Sequence, residues 1–230
     1  MDILKDAGFE NCKLASTPMD YSTKLSKTEG VPLSDSTEYR RLVGKLLYLT
    51  NTRPDISFAI RKLSQYLDHP TTSHLSAVHR ILRYIKASPA IGIMFSATSD
   101  LCVTGFADSD WAACSDSRRS VIAYCFYIGT LLVSWKSKKQ VTVACSSTEA
   151  EYRALAAATK EAIWLSFILK DLGMPLTKPI STYYDSQSAI HIASNPVFHE
   201  RTKHIKADCH ILRDKFQEGL IHLLPISTIE

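Results

Sequence analysis

The order of elements after residue 97 constrains this chain more than any other feature. An apolar strand, "LCVTGFADSDWA", ends in carboxylates, and "SVIAYCFYIGTLLVSWKSK" reads as two further strands about a Gly129-Thr130 turn. A long helix from about Ser147 to Leu172 follows, stopped by Gly173 and Pro175. Next come the strand "ISTYY", a short helix "SQSAIHIAS" broken at Asn195-Pro196, a helix from about Thr202 to Glu218 capped by Gly219, and a last strand, "LIHLLPI". The order β-β-β-α-β-α-α-β predicts one mixed α/β sheet with helices packed on it.

Upstream the grammar is helical. Residues 1 to 34, with "STPMDYSTKLSKTEGVPLSD", read as an extended polar segment that contributes little core. From Asp35, Tyr39, Leu42, Val43, Leu46 and Leu47 recur at helical spacing opposite Arg40, Arg41 and Lys45. A second helix opens at Pro54 and carries Ile56, Ala59, Ile60, Leu63 and Leu67 on one side. A third, "TSHLSAVHRILRYIKAS", carries Leu75, Val78, Leu82 and Ile85. Three regions are therefore expected: a segment over 1–34, a helical region over 35–97 and an α/β domain over 98–230. The "RILR" run, Arg80 to Arg83, matches a short pattern found in secreted pathogen effectors, but Ile81 and Leu82 fall in the helical period and no signal peptide precedes them.

Composition excludes several classes. With 45% hydrophobic and 22% charged residues the chain is not of disordered type. No run approaches the roughly 18 apolar residues of a membrane span. Asp2, Lys5 and Asp6 interrupt what would have to be the apolar core of a secretory signal, so the chain reads as intracellular. Cys12, Cys102, Cys114, Cys125, Cys145 and Cys209 have no close pairing and read as buried free thiols. His199, His204, Cys209 and His210 lie close together without a CxxC, a weak pattern for zinc. Residues 1–97 hold 13 Lys+Arg against 9 Asp+Glu, and residues 98–230 hold 14 of each, a mild basic excess that permits nucleic-acid contact without demanding it.

The chemistry-bearing residues are carboxylates at strand ends. Asp185, in "YYDSQSAI", follows a strand and precedes a helix; it suits both a helix N-cap and a metal ligand. A pair of divalent ions needs further acids from other elements. Asp108 finishes the first strand, with Asp110 two residues on in the turn. Glu149 and Glu151 begin the long helix, about 200° apart at 3.6 residues per turn. Glu149 is expected on a solvated face, paired with Arg153 at i+4, and Glu151 on the inward face above Leu155, Ala158 and Ala162.

These blocks carry a resemblance. "FADSDWA", the hairpin, "SSTEAEYRALA" and "YYDSQSAI", in this order, resemble the RNase H domain of copia-type LTR retrotransposon polyproteins, and "YRRLVGKLLYLTNTRPDISFAI" resembles the tail of the reverse transcriptase before it. The resemblance implies a five-stranded ribonuclease H-like mixed sheet in which Asp108, Glu151 and Asp185 bind Mg²⁺ or Mn²⁺ and hydrolyse the RNA strand of an RNA/DNA hybrid. It also implies a reverse transcriptase palm region as partner in the parent polyprotein, and a cytoplasmic virus-like particle as its setting. Substrate phosphates need cations, and Lys136, Lys138 and Lys139 in "WKSKK" and Arg201, Lys203 and Lys206 in "HERTKHIK" are the candidates, though solvated loops explain them equally well.

The pattern also departs from that family. Its fourth acid normally lies on a helix after the last strand, and this sequence ends at "LLPISTIE", before such a helix. Asp208 falls on the preceding helix and is not its replacement. The expectation is a weakened three-acid site; a catalytically silent nucleic-acid-binding remnant and a non-functional element fragment are the alternatives. Ala113 and Ala123 stand where the family usually shows glycine. A polymerase site is absent from this sequence, since the nearest match to a Tyr-x-Asp-Asp turn is "YYDS", without the second Asp.

Overall fold

The computed structural model describes residues 2–20, 22–23, 25–96, 100–185 and 206–226. The chain divides into two compact units, Met1–Ile93 and Met94–Glu230.

The first unit contains α1 (Asp2–Asp6), α2 (Thr37–Leu49), α3 (Ser57–Leu63) and α4 (Thr72–Ala87). Tyr39, Leu42, Val43 and Leu46 of α2 recur every three or four residues, so they share one face and are fully buried. Ile56, Ala59, Ile60 and Leu63 meet them from a 3-10 turn at Pro54–Ile56 and from α3. Val78, Ile81, Leu82 and Ile85 of α4 close the core; Ile81 and Leu82, the middle of the "RILR" run, are 0% exposed.

The expectation that residues 1–34 add little core is overturned. Leu4, Met19 and Leu25 are buried in the same cluster. Beyond α1 the segment shows no apolar period, and long-range hydrogen bonds help to fasten it. Lys86 Nζ donates to the Cys12 carbonyl at 2.9 Å, Arg80 to Thr17 Oγ1 at 2.8 Å, and the Tyr66 hydroxyl to the Leu25 carbonyl at 3.0 Å.

The second unit holds one five-stranded sheet in the order β3-β2-β1-β4-β5. Its strands are β1 (Val103–Asp110), β2 (Val121–Ile128), β3 (Leu131–Lys139), β4 (Ile180–Tyr184) and β5 (Ile221–Pro225). β1 pairs antiparallel with β2 and parallel with β4; β2–β3 is the antiparallel hairpin and β4–β5 is parallel. This is the mixed sheet with flanking helices that the element order implies. Alternate residues Val103, Ala107, Tyr124, Phe126, Ile180, Tyr184, Ile221 and Leu223 form one core with α5 (Ser147–Asp171) and with Leu212 of α6 (Lys206–Gln217).

The helix α5 ends where expected, by a specific device. Gly173 adopts φ +76°, its N–H donates to the Lys170 carbonyl at 3.0 Å, and Met174 N–H reaches back to the Leu169 carbonyl at 2.8 Å. That pair of bonds satisfies carbonyls that would otherwise be orphaned, and the left-handed turn favours glycine. The helix expected at "SQSAIHIAS" lies outside the described residues, as do His199, Arg201, Lys203 and His204.

Cys12, Cys102, Cys114, Cys125 and Cys145 are free thiols. Their expected burial is not found: four are half-buried and Cys145 is exposed. Cys125 shows why, since its neighbours Tyr124 and Phe126 take the core face of β2 and alternation turns Cys125 the other way. Among the described residues no helix is long and apolar enough to cross a membrane.

Candidate active site

Two of the candidate acids are aligned by strand register. Thr104, Gly105 and Phe106 of β1 pair with Ser181, Thr182 and Tyr183 of β4. The same register, carried two residues on, sets Asp108 level with Asp185, which directly follows β4. Phe106 and Tyr183 share their face and stack with ring centroids 5.2 Å apart, so the two acids continue the row begun by an aromatic pair. Asp108 is exposed and its carboxylate accepts the Ser109 amide at 2.7 Å, which fixes its orientation. Asp110 does not lie in a turn as expected; β1 continues through it, paired with Val121.

The third acid is delivered by the start of α5, which is held from several sides. Ser146 caps the helix by accepting the Glu149 amide at 3.1 Å. Gln140, just past β3, donates from Nε2 to the Ala150 carbonyl at 2.9 Å, and Tyr184, the last residue of β4, donates its hydroxyl to the Glu151 carbonyl at 2.5 Å. Consecutive helix carbonyls are thus tied to strands on opposite sides of β1. Leu155, Ala158 and Ala162 are fully buried below Glu151, as its inward placement requires. The Glu151 Oε2 atom is itself buried and has no hydrogen-bond partner among the described residues.

Glu149 departs from expectation. It does pair with Arg153, at 2.6 Å, but it is 6% exposed rather than solvated, and its second oxygen accepts the Cys145 amide at 2.9 Å. The reason is that the first half of α5 is buried on more than one face: Ala150, Tyr152, Ala154 and Ala156 are buried as well as Leu155 and Ala158. Glu149 is a structural acid of the helix start.

Tyr184 lies within electrostatic reach of each of the three acids. It is 0% exposed, and its hydroxyl is pushed far above the usual phenol range, first by burial and then by the negative charges of Glu151, Asp108 and Asp185. Three carboxylates from three elements therefore act on one buried group. Among the described residues, no three His, Cys, Asp or Glu side chains are gathered closely enough to hold a metal ion as they stand. Tyr184 and Gln140 were not singled out from sequence; the inward alternation Ile180, Thr182, Tyr184 was the available signal for the first.

The candidate lysines are divided between the two faces of the sheet. Lys136 and Lys138 turn to the α5 side, where they line a cavity of about 260 Å³ with Ile122, Tyr124, Lys160 and Glu161. Lys136 Nζ lies 5.8 Å from the centre of the Tyr124 ring, whose hydroxyl donates to Glu161 at 2.9 Å. Lys139 turns to the face of Asp108 and reaches Cys114 Sγ at 3.5 Å. A single row of phosphates along "WKSKK" is not what the strand presents.

No family model matches the chain. Over 228 residues it is 43% identical to the retrovirus-related Pol polyprotein from transposon RE1 of Arabidopsis thaliana, covering 99% of this chain and 16% of that polyprotein. This chain belongs to the retrovirus-related Pol polyproteins of transposons. It spans 16% of the length of that Pol polyprotein, so it corresponds to one segment of it. A secreted RxLR effector protein of Plasmopara viticola is 44% identical over 129 residues, 56% of this chain and 91% of that protein. Among solved structures, LC11-RNase H1, isolated from compost, matches at 12% identity and a TM-score of 0.42 over 56% of this chain and 86% of that one. The copia-type resemblance read from "FADSDWA", "SSTEAEYRALA" and "YYDSQSAI" thus corresponds to membership of the Pol polyproteins.

Proposed function

We propose that the Met94–Glu230 unit is the ribonuclease H module of its parent Pol polyprotein and hydrolyses the RNA strand of RNA/DNA hybrids, with Asp108, Glu151 and Asp185 as its catalytic and metal-binding acids. One observation carries this reading: the β1–β4 register sets Asp108 level with Asp185, and the Tyr184 hydroxyl ties the Glu151 turn of α5 to the strand that ends at Asp185, while Glu151 Oε2 is buried without a hydrogen-bond partner among the described residues. A cation bound there would satisfy that oxygen. The all-oxygen donor set suits Mg²⁺ or Mn²⁺. When bound, such ions supply an activated water as nucleophile and stabilise the leaving 3′-oxygen.

The chain's own residues do the rest. Register holds Asp108 level with Asp185, the Ser109 amide orients Asp108, and the capped start of α5 presents Glu151. Lys139 is the proposed phosphate contact on the face of Asp108 and Asp185, with Arg201 and Lys203 as further cations. Lys136 and Lys138 serve a duplex that extends around the β3 edge. Recognition of RNA rests on its 2′-hydroxyls and on hybrid shape. Residues 35–97 are the connector that joins this module to a reverse transcriptase palm region in the parent polyprotein, in an intracellular particle.

The test is the full chain incubated with a hybrid labelled on its RNA strand. With Mg²⁺ the RNA is cut, and Asp185→Asn abolishes the cutting; an intact RNA strand with the unaltered protein overturns the reading. A second reading, a silent hybrid-binding remnant, is favoured by the absence of a tightly gathered acid group among the described residues. Salt-sensitive hybrid binding without cleavage selects it.

A further inference from the structure

We propose that Tyr184 is a positioning residue that sets the placement of Glu151 relative to Asp185, an inference that rests on the assignment of those two acids to the metal site. Three observations meet at this side chain. It is 0% exposed and packed in the sheet core, so its ring has no room to swing. Its hydroxyl donates to the carbonyl of Glu151 at 2.5 Å, linking β4 to the first turns of α5. Its next residue in the chain is Asp185, so one side chain spans from the backbone of one acid to the backbone of the other.

The strand end at Tyr184 is fixed in turn. Tyr184 pairs with Pro225 of β5, and its carbonyl accepts the Ile226 amide at 3.1 Å. The helix start has its own supports, the Ser146 cap and the Gln140 bond to the Ala150 carbonyl. Those supports act on α5 from the β3 side and from its own cap. The tyrosine hydroxyl adds a bond from β4 to the Glu151 turn itself. Removing it leaves the ring packed and the helix capped, but lets the Glu151 end of α5 drift from Asp185. Partners that orient metal ligands without touching the metal change affinity in this way.

The experiment compares the full chain with its Tyr184→Phe, Tyr124→Phe and Asp185→Asn variants. Mn²⁺ binding is read by electron paramagnetic resonance without substrate, and the Mg²⁺ midpoint of hybrid cleavage is read separately. Asp185→Asn abolishes Mn²⁺ binding, and Tyr184→Phe weakens it roughly tenfold and raises the Mg²⁺ midpoint by the same factor, with the rate at saturating Mg²⁺ retained. Tyr124→Phe removes a buried tyrosine hydroxyl bond of the same unit, to Glu161, and leaves both metal readouts unmoved. Wild-type Mn²⁺ affinity in Tyr184→Phe overturns the proposal, as does an equal loss in Tyr124→Phe, which marks general loosening. If the unaltered protein cuts hybrids, such a result removes only the role of Tyr184. If it neither cuts nor binds Mn²⁺, the acid-site reading falls and this inference falls with it.

Discussion

A Cβ at Gly105 would run into the ring of Phe126, its partner across β1 and β2. Phe126 is 0% exposed and packs edge-on to Tyr124, so the ring has nowhere to retreat. Gly105→Ala is expected to destabilise the second unit by about 1–3 kcal/mol, seen as a lower denaturant midpoint. On the proposed role of Asp108, three residues on in the same strand, hybrid cleavage should fall with any shift of β1. The contrast with the acids is instructive. That Asp108 and Asp185 lie in or just after apolar strands was legible from the alternating runs before them; their alignment was not, because the β1–β4 register is set only when the strands pair. Nor was the burial of Glu149, because periodicity assumes that one side of a helix is wet, and the first half of α5 is buried on more than one side.

At the scale of elements, the connection from the Pro54 turn to the end of α4 depends on one ionic network. Arg53, 4% exposed, donates to both oxygens of Asp55 and also to the carbonyl and hydroxyl of Ser88, while the Tyr84 hydroxyl donates to Asp55 at 2.9 Å. Burial alone would raise the Asp55 carboxyl; the hydrogen bonds from Arg53 and Tyr84 and the Arg53 charge outweigh it and hold it below the usual carboxylate range. A folded-state value below the unfolded one contributes stability that is present above about pH 4 and lost as pH falls through the folded value. Asp55→Asn is therefore expected to be less stable by about 1–3 kcal/mol near neutrality, with its melting curve approaching that of the unaltered protein in acid. Equal loss at every pH would refute the linkage. The helices this network joins were legible from their apolar period and from Pro54. The network itself was not, because Arg53 and Ser88 meet only after the chain has turned back on itself.

At the scale of the whole chain, each unit completes a hydrophobic core from its own residues: Leu4 through Ile85 in the first, Val103 through Leu223 in the second. The change from helical to alternating period puts a boundary at 97/98 in the sequence, and the compact units divide between Ile93 and Met94. The wrapping of residues 1–34 onto the first core was not legible, because Leu4, Met19 and Leu25 are too far apart in sequence to show a face. Two cores imply that damage stays local. Leu42 is 0% exposed among Tyr39, Leu46 and Ile60, and Leu42→Ala removes packing that its neighbours refill only in part, at a cost of about 2–5 kcal/mol. Hydrogen exchange followed residue by residue is expected to show faster opening across α2, α3 and α4 and unchanged protection in β1, β2 and β4. Residues 12–25 should open with the helices rather than before them, since their hydrogen bonds to Arg80, Lys86 and Tyr66 anchor them to the same core. Loss of protection spreading equally through the sheet would mean that the two cores unfold as one cooperative body.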